Sequence, residues 1–265
     1  MAHSDIYTHI DKAAYTNLWA RKSPIAKGFF ALSALILSVS SQSIIVPTAI
    51  LVITAVLLLR FAKIKAHLYF DMLIYPTAMA ALSCLFIALF FGYGQALAEV
   101  NMPLFTWTIY KNGITIAVIT FFRVEASLSC LYFLVLTTSI TDIFITLRRF
   151  RVPRVVVELA LLIYRYLFVF LEVSMKMNTA QKLRLGNSGV KKRIRSIALI
   201  AGNLFVRTLE QGERTFIAMN ARGYDGNIRV LEDLPQPKKT TILGIIVFDI
   251  IFVIAIFLTT KIRLA

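Results

Sequence analysis

GFFALSALILSVSSQSIIVPTAILVITAVLLL, residues 28–59, carries no charged side chain from end to end. Read as one helix at roughly 1.5 Å per residue, it would overrun a hydrocarbon core of ~30 Å. Polar Ser38-Val39-Ser40-Ser41-Gln42-Ser43 and Pro47 break it near the middle. Basic clusters flank both ends, Arg21/Lys22/Lys27 before and Arg60/Lys63/Lys65 after. A single span would put one cluster outside, whereas a hairpin of two short helices keeps both inside, as positive charge prefers.

Working outward, the same pattern recurs. A third span is expected from about Leu68 to Tyr93, with Asp71 at its start and Pro76 in its early turns. The stretch Gly94–Asn112 has only Glu99 and Lys111 as charges and holds Phe105, Trp107 and Tyr110, which reads as an outside loop with interfacial aromatics. A fourth span follows over 113–138, and Thr241–Thr260, with only Asp249, suits a fifth. The chain is 58% hydrophobic, where soluble domains are about 45–50% apolar. Its excess of 29 basic over 14 acidic residues fits inside loops of a membrane protein better than nucleic-acid binding. The expected class is all-α and polytopic, with about five transmembrane helices. Both termini of the hairpin lie inside, so an odd span count puts the C-terminus outside.

Cys84 and Cys130 fall in apolar runs and imply no disulfide framework. The polar first residues hold no cleavable leader pattern, so the first span is expected to serve as the targeting signal. Three regions follow: a membrane domain over 1–138, a cytoplasmic helical arm over 139–240, and a last span with a short tail over 241–265.

The arm carries most of the charge, including Arg148, Arg149, Arg151, Arg154 and Lys191-Lys192-Arg193. Residues 154–173 are apolar enough to compete as a sixth span. Glu158, Arg165 and Glu172, spaced by seven, draw one polar stripe and favour packing on protein or at the interface. Over 190–221, Ile194, Ile197, Ala198, Ala201, Leu204 and Phe205 recur at helical spacing, and Gly223 is a helix stop. Asp233, Pro235 and Pro237 mark the linker back to the membrane.

Several chemistries are missing. Gly186-Asn187-Ser188-Gly189-Val190-Lys191 lacks the gap and the Gly-Lys-Ser/Thr ending of a phosphate loop. The pairs His3/Asp5 and His9/Asp11 have unspecific ligand spacing, so no metal site is assigned. No cofactor is expected on this chain. Arg123 and Glu125 stand at membrane depth, where charge is costly; two apart, they face different ways and are not partners. A packing role is favoured over a substrate path. Arg184 and Arg222 each end a helical stretch. They serve either as solvated or lipid-facing charge, or as planar forks offered to a partner's carboxylates. Ala221 and Gly223 would permit close approach in the second case.

These motifs together resemble the transmembrane T component of energy-coupling factor (ECF) transporters, and most of all its cobalt-type CbiQ branch. The likeness runs from Ile10-Asp11-Lys12-Ala13-Ala14-Tyr15-Thr16-Asn17 and Pro24-x-x-Lys27 through Arg148-Arg149-Phe150-Arg151-Val152-Pro153 and Tyr164-Arg165-Tyr166-Leu167-Phe168. It ends on Ala218-Met219-Asn220-Ala221-Arg222-Gly223-Tyr224-Asp225-Gly226. The resemblance implies a scaffold whose two cytoplasmic helices, each ending in alanine-arginine-small, insert into grooves on two ATPase subunits. Ala221-Arg222-Gly223 matches the second motif. Arg184, in Ala180-Gln181-Lys182-Leu183-Arg184-Leu185-Gly186, stands at the first, with leucines where small residues are usual. It further implies that ATP is hydrolysed by the partners and that a separate membrane subunit captures cobalt. Nickel import, or a T component shared among vitamin-specific subunits, is the alternative within the class. A self-sufficient secondary transporter is the rival outside it, opposed by the absence of a repeat and the scarcity of buried charge.

Overall fold

The computed structural model describes residues 14–20, 22–92, 96–102, 105–184, 188–226 and 235–264. The pairs His3/Asp5 and His9/Asp11, together with Arg21, Leu185, Gly186, Asn187 and Asp233, lie outside them. The chain divides into a unit of residues 1–143 with 234–265 and a second unit of residues 144–233.

In the first unit the uncharged run forms the expected hairpin. Helix α1 is Pro24–Ser40; helix α2 is Ile45–Val56 and runs on as a π-helical turn, Leu57–Phe61. Pro24 opens α1, where a missing N–H costs nothing, and Pro47 falls in the first turn of α2 for the same reason. The seventeen residues of α1 cover roughly 25 Å, slightly short of the core. Between the helices the Ser41 hydroxyl accepts the Ser43 N–H at 3.2 Å.

Three further helices are long and apolar enough to cross a membrane: α3 (Ala66–Phe90), α4 (Lys111–Thr137) and the last helix, α8 (Lys239–Leu264). The stretch expected as an outside loop forms an antiparallel hairpin, β1 (Ala96–Met102) with β2 (Phe105–Tyr110), pairing Glu99 with Thr108 and Met102 with Phe105.

Helix α4 is the centre, packing on α1, α2 and α3. Its most apolar window is 33% buried, against 11% in α3 and 6% in α8. Lipid offers no hydrophobic drive between helices, so contact relies on small residues and hydrogen bonds. Helix α4 supplies both. Gly113, Ala117, Ala126, Ser129 and Cys130 are buried. A side chain on Gly113 would collide with the Phe91 carbonyl at the end of α3. The Ser129 hydroxyl lies 2.7 Å from that of Thr54 on α2 and 2.9 Å from that of Tyr69 on α3.

Proline 76 lies inside α3 and cannot bond the carbonyl of Met72, four residues back. The Tyr132 hydroxyl of α4 donates to that carbonyl at 2.9 Å. An unpaired backbone group in hydrocarbon is thereby avoided. The open carbonyls at the end of α4 are met in a similar way. Asn17 donates to Leu136 at 3.0 Å, and the buried Lys27 ammonium donates to Thr137 at 2.7 Å. A cation there also complements the helix dipole. Two of the motif positions quoted above thus cap the central helix.

Arg123 and Glu125 are held separately. The Arg123 Nε donates to the Ser41 carbonyl at 2.5 Å, fastening α4 to the turn of the hairpin. Glu125 is buried and accepts the Thr77 hydroxyl of α3 at 3.0 Å. For Arg123, the packing role is the one observed.

The second unit begins inside α5 (Ile140–Arg149) and contains α6 (Arg154–Leu183) and α7 (Val190–Ala221). Helix α5 matches its dipole, with Asp142 in the first turn and Arg148 and Arg149 in the last. The chain then turns through Arg151, at φ 62°, to Pro153, which precedes α6. Helix α6 is not among the described helices that are long and apolar enough to cross a membrane.

Candidate functional site

The two arginines singled out in the arm occupy equivalent places. Arg184 is the residue that closes α6, its N–H donating to the Ala180 carbonyl at 3.2 Å. Arg222 closes α7, its N–H donating to Met219 at 3.0 Å. Both are exposed, and neither guanidinium is in an ion pair among the described residues.

Local sequence explains the second position in full. Gly223 adopts φ 76°, a left-handed conformation that only glycine enters without steric cost. Its N–H donates to Asn220 at 3.0 Å and the Tyr224 N–H to Met219 at 3.1 Å. This is the Schellman pattern, which closes the last carbonyls and fixes Arg222 as the C-cap of the helix. A Cβ on Gly223 would meet nothing within 4 Å, so in the free chain the glycine is there for its backbone conformation. Beyond the cap, the Tyr224 hydroxyl donates to Glu158 of α6 at 3.4 Å.

That contact orders the arm. Tyr166 of α6 meets Thr215 of α7 at 2.6 Å, so the pairings 158 with 224 and 166 with 215 run in opposite senses. The start of α6 therefore lies beside the end of α7. From Glu158 to Arg184 the axis of α6 advances by roughly 39 Å. The structure does not bring Arg184 and Arg222 together; it holds them at opposite ends of the arm.

Glu158, Arg165 and Glu172 do not share one environment as the stripe implied. Glu158 is buried and takes the Tyr224 hydroxyl, while Arg165 and Glu172 are exposed. Lys176, 2.6 Å from Glu172, holds that carboxyl below its usual range. The apolar stripe of α7 is uncovered: Ile194, Ile197 and Phe205 are each more than half exposed, as are Phe216 and Ile217 near Arg222. Periodicity located the first three but could not say what faces them. Phe216 and Ile217 escaped it because they are adjacent rather than spaced.

Comparison with known proteins bears on the whole of this arrangement. The family model for CbiQ, a cobalt transport protein, matches residues 16–232. An uncharacterized protein of Methanocaldococcus jannaschii is 36% identical over 250 residues, 94% of this chain and 93% of that one. A putative fused cobalt transport protein CbiMQ of Methanocorpusculum labreanum is 32% identical over 93% of this chain, which spans 41% of that longer protein. The energy-coupling factor transporter transmembrane protein EcfT of Exiguobacterium sibiricum is 32% identical over 158 residues, 54% of this chain and 60% of the relative.

Proposed function

This multi-pass membrane chain belongs to the CbiQ family of cobalt transport proteins, and on that premise we propose that it is the energy-coupling subunit of an ATP-driven, ECF-type cobalt importer. It catalyses nothing and binds no nucleotide. Two ATPase subunits hydrolyse ATP, and a separate membrane subunit captures the metal ion. The arm and the N-terminus face the cytoplasm, consistent with the basic residues concentrated there.

The observation that carries this reading is the pair of exposed arginines, in no ion pair among the described residues, closing α6 and α7 at opposite ends of one arm. A planar fork at a helix end can make two charge-assisted bonds to a carboxylate in a groove. The uncovered apolar residues of α7 supply the surface such a groove would bury. Closure of the ATPases on ATP would act on both ends at once and bias the arm between two states. The fused relative joins the matched segment to a further length of chain, in keeping with work beside a second component.

The test is co-purification with an ECF ATPase in detergent. The wild-type chain is expected to elute with the ATPase on size exclusion, and Arg222→Glu to lose the subunit docked at that end. If the wild type captures no ATPase, the coupling role is overturned. Equal capture by both chains removes Arg222 as an anchor.

A further inference from the structure

The membrane unit contains a cavity of about 710 Å³ between the first halves of α1 and α8, floored by α2 and α4. That is well within the size of sites that hold an organic ligand. Its wall has two characters. Phe30, Leu57, Phe133 and Phe248 make one part apolar, while Lys22, Lys27 and Lys238 make the other cationic. Among the described residues no carboxylate lines it; Asp142, whose charge acts on Lys27, is outside the wall. Helices α1 and α8 both begin at the lysine end, at Pro24 and Lys239, so two helix N-termini add positive potential there.

Among the described residues Ser23, 7% exposed, has no hydrogen-bond partner for its hydroxyl, although it lines the cavity. A buried hydroxyl left unpaired is costly, and a ligand oxygen would relieve it. We propose that the cavity is a binding site for one anionic phospholipid, its phosphate held by Lys22, Lys238 and the Ser23 hydroxyl and one acyl chain lying against Phe30 and Phe248. A soluble anion would leave the aromatic wall unused, and a neutral lipid would leave the lysines uncompensated. Basic pockets between membrane helices are where acidic headgroups settle.

Trp19 lines the cavity, with the Lys22 ammonium 3.8 Å above its ring, and provides the probe. The chain has two tryptophans, so Trp107→Phe leaves Trp19 alone. This variant is placed in phosphatidylcholine bilayers with a few mole per cent of brominated phosphatidylglycerol or, separately, brominated phosphatidylcholine. Brominated phosphatidylglycerol is expected to quench Trp19 severalfold more strongly, with saturation. Lys22→Gln and Lys238→Gln are both at exposed positions and should each weaken that excess roughly five-fold in affinity. Gly244 lines the cavity with no atom within 4 Å of where its Cβ would stand. Gly244→Leu should therefore fill the site and abolish the excess without disturbing the helix. Equal quenching by the two lipids overturns the proposal, as does an excess that survives both the lysine and the Gly244 variants. Absence of quenching by either lipid also overturns it, since the cavity is then closed by the protein's own chain.

Discussion

At the scale of single residues, the C-terminal end of α7 depends on one glycine. Gly223 at φ 76° lets two amides return to the helix, and Arg222 is aimed by that turn. Gly223→Ala has open space for its methyl but must adopt a left-handed backbone. The expected cost is about 1–2 kcal/mol, confined to the last turn. Hydrogen exchange should show faster exchange at Tyr224 with the rest of α7 unchanged, and Gly223→Asn should lie between the two. Unaltered protection in the alanine variant would show that the cap is not what holds the arginine. This residue was legible in the sequence because a helix stop is a local event. The partner of Tyr224 was not, since Glu158 lies sixty-six positions away along the chain.

At the scale of elements, the membrane unit is organised by how helix defects are repaired. Pro76 frees the Met72 carbonyl and Tyr132 from α4 takes it. Tyr132→Phe keeps the ring but loses the bond, at an expected cost of about 0.6–1.7 kcal/mol. Pro76→Ala restores an N–H able to reach Met72, so the same tyrosine change should cost less in that background. Stability of the two single variants and the double variant in detergent tests the coupling. Strictly additive losses would mean that the hydroxyl serves some other group. The sequence announced the proline but not its remedy. Likewise Lys27 was legible as a charge beside the first span, whereas its use as a cap on Thr137 depends on where α4 ends in space.

At the scale of the molecule, the separation of the two arginines makes a statement about stoichiometry. They cannot serve one groove when α6 advances by roughly 39 Å between Glu158, at the Arg222 end of the arm, and Arg184. Arg184→Glu and Arg222→Glu are each expected to leave one ATPase subunit on the arm, and the double variant none, as read by light scattering of the eluted complex. If either single reversal released both subunits, the ends would not be independent docking points. The membrane body needed less of the tertiary structure. The uncharged run at 28–59 and its flanking lysines and arginines already required a hairpin, and the structure contains it.

The sequence by itself determined the apolar helices, their order, the charged arm and the closing glycine. Each of these follows from residues within a few turns of one another, through the cost of placing charge in hydrocarbon and through backbone stereochemistry. The tertiary structure alone decided what Arg123 grips, which side chains close α4, how far apart the arginines stand and where three lysines surround a cavity. Those pairings join positions 82 to 119 residues apart, and no local preference encodes them. They are set when buried polar groups and small side chains find the one packing that leaves few of them unmatched.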